Sequence, residues 1–319
     1  MSLGISRVCQ AAALVAILFS ATLASTRQAD NPDTNYYANA HPYFDESLKD
    51  LTKQIPDLKK LQPASDQQLL PEILGKTGGT VDDFFHYIVD LIADEKITQQ
   101  RVTNRGALMG HQEVEDSYLI VHRPTAYADR EDIVEYRMDA DGNPIHDPGL
   151  HRGFLVTFGF ALICNYFSSD AQEQSTFRYL GQQKLGTSDT YVVAFAQRPD
   201  RSTMYVTMAG VGDSAVSMLM QGVAWIDKQN FQILRLRTDL LAPHPEIDLD
   251  QQTTEVTFDK VQLQDLAAPL WLPRDVKVSL GFKKPELDHR HYYEFGFRNE
   301  HHYSGYRRYR VSVKMLPPQ

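Results

Sequence analysis

Along much of the chain the apolar residues recur at every second position, and that pattern restricts the fold more than any other feature. Val276, Val278, Leu280 and Phe282 alternate with Lys277, Ser279 and Gly281. Val256 and Phe258 alternate with Glu255, Thr257 and Asp259, and Tyr309, Val311 and Val313 alternate with Arg308, Arg310, Ser312 and Lys314. A side-chain period of two belongs to an extended strand, so each stretch has one dry face and one wet face. Further strands are expected over residues 96–103, 118–122, 133–138, 176–180, 190–196, 222–226 and 232–240. Most of the joins are short and polar, as at Asp141 and Gly142 or over residues 227–230, which suits antiparallel hairpins.

Two stretches break the alternation. Thr80 and Asp83 form a capping-box pattern, and Val81, Phe84, Phe85, Ile88, Leu91 and Ile92 follow at spacings of three and four, which predicts an amphipathic helix ending near Ala93. Residues 154–167 are apolar almost all round, with Leu155, Phe158, Phe160, Leu162, Ile163, Tyr166 and Phe167. A helix apolar on every side must be enclosed, and the dry face of a sheet is the available partner. A short strand pair through residues 156–163 fits the same letters; helix is the preferred reading. The expected fold is mainly β within the α+β class, a curved antiparallel sheet or incomplete barrel wrapped around one or two helices. This half-barrel domain is assigned to residues 80–319. Residues 25–79, rich in Asn, Asp, Gln and Pro, read as a partly helical or irregular extension that drapes over it, with one amphipathic stretch at 48–61 interrupted by Pro56.

Residues 1–24 carry Arg7, an apolar run around residues 11–19, and small residues at Ala21, Thr22 and Ala24, the order of a cleavable signal peptide. The run is shorter than the ~20 residues that span a bilayer. Export to the periplasm or cell envelope is therefore expected. Cleavage would leave Cys164 as the one thiol, so no intramolecular disulfide can form. With 32 Lys+Arg against 41 Asp+Glu the formal charge is −9, which disfavours nucleic acid as a partner.

Catalytic patterns are weak. Ser214 lacks the Gly-x-Ser-x-Gly elbow, and Asp82/Asp83, Asp139/Asp141 and Asp248/Asp250 lie in helix-start or turn contexts. Asp288, His289, His291, Glu294, His301 and His302 could in principle assemble a zinc set across a hairpin. The same letters describe an exposed polar strand face, with these histidines pointing outward and apart. Arginines at 290, 298, 307, 308 and 310 interleaved with tyrosines likewise fit a half-buried strand.

The order of elements, with the segments VDDFFHYIVDLIADEKITQQRV, FRYLGQQKLGTSDTYVVAFAQRP and GVAWIDKQNFQILRLRTDL, resembles the LolA-like lipoprotein carriers and lipoprotein-sorting proteins over about residues 80–314. Tyr191, Trp225, Ile226, Asp227 and Arg235 occupy the places of that family's Tyr strand, Trp-Ile-Asp strand, turn and returning Arg. The long N-terminal extension and residues 200–220, ahead of the Trp225 strand, depart from it. The resemblance implies a non-enzymatic envelope protein that binds a lipid or a lipoprotein acyl chain inside an incomplete barrel. The expected cavity lining is Trp225, Val193, Phe195, Phe158, Leu162, Val278 and Leu280, with no catalytic residue, metal ligand or cofactor. The alternative is a structural or interaction module whose concavity is filled by its own helices and extension. A secreted metal-dependent enzyme using the histidine cluster ranks below both.

Overall fold

The computed structural model describes residues 17–20, 36–103, 105–124, 131–145, 149–151, 153–209, 215–264, 266–285 and 292–309. Ten long strands make one antiparallel sheet: β1 (Leu91–Thr103), β2 (Leu108–Pro124), β3 (Glu131–Met138), β4 (Ser175–Leu185), β5 (Ser188–Gln197), β6 (Met220–Asp227), β7 (Ile233–Leu240), β8 (Leu249–Val261), β9 (Leu270–Pro285) and β10 (Tyr292–Arg308). Their order is β4-β5-β6-β7-β8-β9-β10-β1-β2-β3. Gln62–Pro63 adds to the β4 edge and Pro144–Ile145 to the β3 edge, giving 12 strands in an open sheet that does not close into a barrel. Among these ten strands the sheet order departs from the chain order in two respects. β10 returns to pair with β1, and the chain from β3 to β4 must travel from one edge of the sheet to the other.

The inner face carries the main core. Leu236, Val256, Val276, Val278, Leu280, Phe282 and Phe297 lie on it, and helix α2 (Leu70–Tyr87) covers it with Ile73, Val81 and Phe84. This helix begins ten residues before the capping box at Thr80 and ends at Tyr87, before the expected stop at Ala93, because Leu91 and Ile92 already belong to β1. Its early start runs through Gly78 and Gly79, residues that weaken a helix on propensity alone. Gly78 is there for space: a Cβ would lie 2.7 Å from Gln172 Nε2 and 2.8 Å from Ser169 Oγ. The helix thus joins residues on both sides of the 79/80 boundary.

The outer face of β4–β6 is also dry. Val192, Ala194, Val223 and Trp225 alternate with inward Val193, Phe195, Ala224 and Ile226, and they are covered by Leu51, Ile55 and Leu58. Leu51 is on helix α1 (Leu48–Gln54), whose N-cap Ser47 accepts a hydrogen bond from the Asp50 N–H; Leu58 is on the 3-10 turn Pro56–Lys60. Residues 36–61 are therefore a packed strap.

Residues 200–220 also contribute to the core. Tyr205–Ala209 pairs with Ala215–Met218, and Val206 and Met218 are fully buried. Ile17–Ser20 pairs with the other edge of Tyr205–Ala209; residues 1–16 and 21–35, which hold most of the expected signal peptide and its cleavage site, lie outside the described residues. So do 310–319, where the alternation over 309–314 was expected to form a strand.

Truncating Leu51 to Ala tests the strap. Removing a fully buried Leu costs about 2–5 kcal/mol, so urea denaturation should show a loss in that range. A change below about 0.5 kcal/mol, the range of ordinary surface substitutions, would mean that the segment only drapes.

Candidate functional site

The connection from β3 to β4 crosses the inner face, and residues 154–167 make the crossing. They are apolar, yet they do not form the expected helix, nor a strand pair through 156–163. Phe154–Val156 is a short strand paired with Gly149–His151, and Leu162–Phe167 is a 3-10 turn. Between them Gly159 sits at φ 91°, a left-handed conformation that glycine tolerates and an α-helix cannot contain.

A buried backbone without regular structure leaves its N–H and C=O groups to be satisfied by other means. Here side chains of the sheet do it. Asn299 Nδ2 and Gln99 Nε2 both donate to the Leu155 carbonyl, the former at 2.8 Å. Glu135 on β3 accepts four consecutive backbone N–H groups, from Gly159 at 3.0 Å, Phe160 at 2.9 Å, Ala161 at 3.1 Å and Leu162 at 3.1 Å, and its carboxylate also accepts from the Tyr118 hydroxyl. Four converging amides at the start of a turn form an anion-binding nest, and Glu135 is its anion. Burial raises the Glu135 pKa, and these donors oppose the rise without cancelling it.

Beside the nest lies a sealed ionic group. Arg137 on β3 grips Glu95 on β1 with two nitrogens, one contact being Nη2 to Oε1 at 2.8 Å, and the two side chains are 1% and 0% exposed. His301 on β10 places Nδ1 2.8 Å from Glu95 Oε1 and Nε2 3.3 Å from Thr157 Oγ1. The aromatic rings of the crossing segment cover the charges: Phe158 lies 4.4 Å from the Arg137 guanidinium carbon, and Phe160 packs 5.0 Å from the His301 ring. From Leu155 to Leu162 the segment is held mainly by polar contacts, and from Phe160 to Phe167 it fills the core with aromatic rings. Tyr166 and Phe167 lie 5.1 Å and 5.5 Å from Phe195. We call residues 154–167 the plug.

Several sequence expectations find definite positions. Val193, Phe195, Val278 and Leu280 belong to the inner-face core, all of them buried. Phe158 and Leu162 are buried in the plug itself, Phe158 against Arg137 and Leu162 with its N–H on Glu135. Trp225 does not join them. It pairs in register with Arg235, whose guanidinium carbon stacks 4.7 Å over its ring, on the outer face under the strap. Arg235 also binds Asp57 of the strap and Glu255 of β8, while Asp227 Oδ1 accepts the Gln229 and Asn230 N–H groups in the turn. Trp225 and Arg235 clasp the strap, while Ile226 belongs to the inner-face core and Asp227 closes the turn.

His301 does not point outward as expected. It is 3% exposed and faces Glu95, whereas His302 stands on the wet face against Asp275 at 2.8 Å. Asp288, His289 and His291 lie outside the described residues. Among the described residues no three His, Cys, Asp or Glu side chains gather as a metal set. The groups that hold the plug, Glu95, Gln99, Glu135, Arg137 and Asn299, did not stand out in the sequence. The available signal was phase: Glu95 and Gln99 fall in register with inward Ala93 and Ile97, and Asn299 and His301 with inward Phe297 and Tyr303.

The ionic group makes stability pH-dependent. Burial lowers the His301 pKa below its ordinary value near 6.5, and its contact with Glu95 only partly offsets this. As pH falls the unfolded chain therefore binds that proton first, and stability is full above about pH 6.5 and declines below it. Burial alone would raise Glu95, but Arg137 and His301 outweigh it and hold its pKa at about 2. Its contribution is present above about pH 4.5 and is lost only below that. His301→Gln should flatten the stability profile between about pH 6.5 and 5, while the acid limb, to which Arg137 contributes most, is reduced but retained. Glu95→Gln, which strands a buried guanidinium, should cost about 3–5 kcal/mol at pH 7. Chemical denaturation across pH checks both, and an unchanged upper limb in the His301 variant would contradict the assignment.

No protein-family model matches this chain, and no curated protein matches it by sequence. Among solved structures the chain is similar to a DUF1329 family protein from Desulfovibrio piger, at 11% identity over 76% of this chain and 94% of that one, with a TM-score of 0.36. It is likewise similar to an outer membrane lipoprotein-sorting protein domain from Vibrio parahaemolyticus, at 10% identity over 76% of this chain and 95% of that one, with a TM-score of 0.34.

Proposed function

We propose that this chain is a non-enzymatic, exported envelope protein that shelters an apolar group, a lipid or a lipoprotein acyl chain, against the inner face of its curved sheet. The observation that carries the reading is the plug. It is an irregular apolar segment tied to the sheet at its start by polar side chains and occupying the surface that an acyl chain would use. Apolar burial is non-directional and scales with area, at about 25 cal/mol per Å². An acyl chain in place of Tyr166 and Phe167 would therefore bury the same surface of Phe195, and binding is an exchange of covers rather than the filling of a void.

The chemistry of the interior supports a passive role. Cys164 in the plug is buried and its thiol is pushed up to about 12, so it is no nucleophile at neutral pH. Glu135 is satisfied by the plug amides and Glu95 by Arg137 and His301, while Arg137 Nη1 has no hydrogen-bond partner among the described residues. A second reading has its own support: Phe160, Phe167 and Phe195 are 1%, 0% and 0% exposed, as in a permanently filled core of a structural or interaction module.

Binding of a fluorescent fatty acid to the wild type and to Glu135→Gln separates the two. A glutamine carries one acceptor oxygen and two donor hydrogens where four N–H groups converge, so the substitution loosens the plug while the sheet keeps its core. If the plug competes with ligand, the wild type binds saturably, phospholipid displaces the probe, and the variant binds several-fold more tightly because the open form is more populated. Absence of binding in both proteins would establish the filled-core reading.

A further inference from the structure

Among the described residues, four large apolar side chains stand well into solvent: Leu69, Tyr87, Leu108 and Met109. Two of them are adjacent. Leu108 and Met109 are 56% and 44% exposed and lie at the tip of the β1–β2 hairpin. Strict alternation would send one of two neighbours to the covered face. The pairing shifts here, Arg101 opposing Gly110 and Val102 opposing Leu108, so Met109 is the extra residue of a β-bulge. The bulge leaves both side chains exposed.

The tip is a built loop. Gly106 N–H donates to the Thr103 carbonyl at 2.8 Å, Thr103 N–H to the Ala107 carbonyl at 2.9 Å, and Ala107 N–H to Thr103 Oγ1 at 3.1 Å, with Gly106 at φ 77°. Three arginines surround it. Arg105 is in the turn, Arg101 lies 6.0 Å over the Phe154 ring, and Arg298 of β10 reaches along the outer face until its Nη2 is 3.8 Å from where a Cβ on Gly106 would be. Elsewhere Arg235, Arg237, Arg274 and Arg307 each pair with a carboxylate. Among the described residues none of these three does. In a chain of net charge −9, three arginines without a carboxylate partner among the described residues thus surround an apolar tip.

We propose that the β1–β2 tip is a membrane-docking finger: Leu108 and Met109 enter the interface of an anionic bilayer while Arg101, Arg105 and Arg298 bind its phosphate headgroups. Guanidinium groups match phosphate oxygens bidentately, and a cation near an anionic leaflet strengthens attachment by about fivefold. Small apolar insertion alone gives weak attachment, and combination with a basic collar is what makes it selective for anionic surfaces. The acidic remainder of the chain is repelled by the same surface, so the molecule meets the membrane at this end. The tip touches the plug through Arg101, which lies against its first residue, Phe154, and docking needs no interior ligand.

Co-sedimentation with sucrose-loaded vesicles tests it, comparing phosphatidylglycerol–phosphatidylcholine mixtures with phosphatidylcholine alone. The full protein should bind the anionic vesicles and release with rising salt. The double variants Leu108→Ser with Met109→Ser, and Arg105→Glu with Arg298→Glu, should each lose at least about tenfold in partitioning. Both variants should keep the wild-type melting temperature and wild-type response to the fatty-acid probe, which separates docking from lipid uptake by the interior. Equal binding to both kinds of vesicle, no binding at all, or variants that bind like the wild type would overturn the proposal.

Discussion

An apolar chain that crosses the face of a sheet without helix or strand carries its backbone polar groups into the core, and each must find a partner there or cost free energy comparable to a lost hydrogen bond. The architecture around residues 154–167 follows from that constraint. β3 and β4 stand at opposite edges of an open sheet, so the crossing is forced by topology. Gly159 excludes a helix, and Glu135, Gln99 and Asn299 then supply the acceptor and donors that a helix would have supplied to itself. The carboxylate of Glu135 needs Tyr118, and the ionic group of Glu95, Arg137 and His301 needs the rings of Phe158 and Phe160 as its cover. Polar anchoring at one end and aromatic filling at the other are two parts of one solution.

The same sheet is dry on its second face over β4–β6, which explains the strap. A strand buried on both sides reads as a continuous apolar run, and residues 191–196 are such a run. Leu51, Ile55 and Leu58 cover that surface, and Arg235 ties it through Asp57 while stacking on Trp225. Of the residues that carry the family resemblance, Trp225 and Arg235 are thus occupied in holding the N-terminal segment to the outer face, while Tyr191 and Ile226 pack with the inner-face core. The inner face, where a ligand would lie, is covered by α2 and the plug.

Much of the architecture was legible. Alternation over 256–258 and 276–282 placed β8 and β9, the polar joins implied antiparallel order, and the all-round hydrophobicity of 154–167 implied enclosure. Its conformation was not legible, because the amides that Glu135 captures come from a segment far away in sequence, and no local propensity encodes a long-range hydrogen bond. The ionic group escaped for a related reason: Glu95, Arg137 and His301 lie on three different strands and meet only through the β10–β1, β1–β2 and β2–β3 pairings. The face of Trp225 is not readable from the sequence because its neighbours are apolar in both phases. The start of α2 was missed because Gly78 and Gly79 resemble a loop until the close approach of Gln172 and Ser169 is known.

The central claim is that the plug is a separately releasable cover over a stable sheet. Native-state hydrogen exchange tests it most directly, since cooperative units open with their own free energies. The amides of Gly159, Phe160, Ala161 and Leu162 should exchange together, through an opening of lower free energy than that of the β5–β9 strands, and Glu135→Gln should accelerate them while leaving the strand amides unchanged. Exchange of these four amides only through global unfolding, at the same free energy as the sheet, would contradict the account.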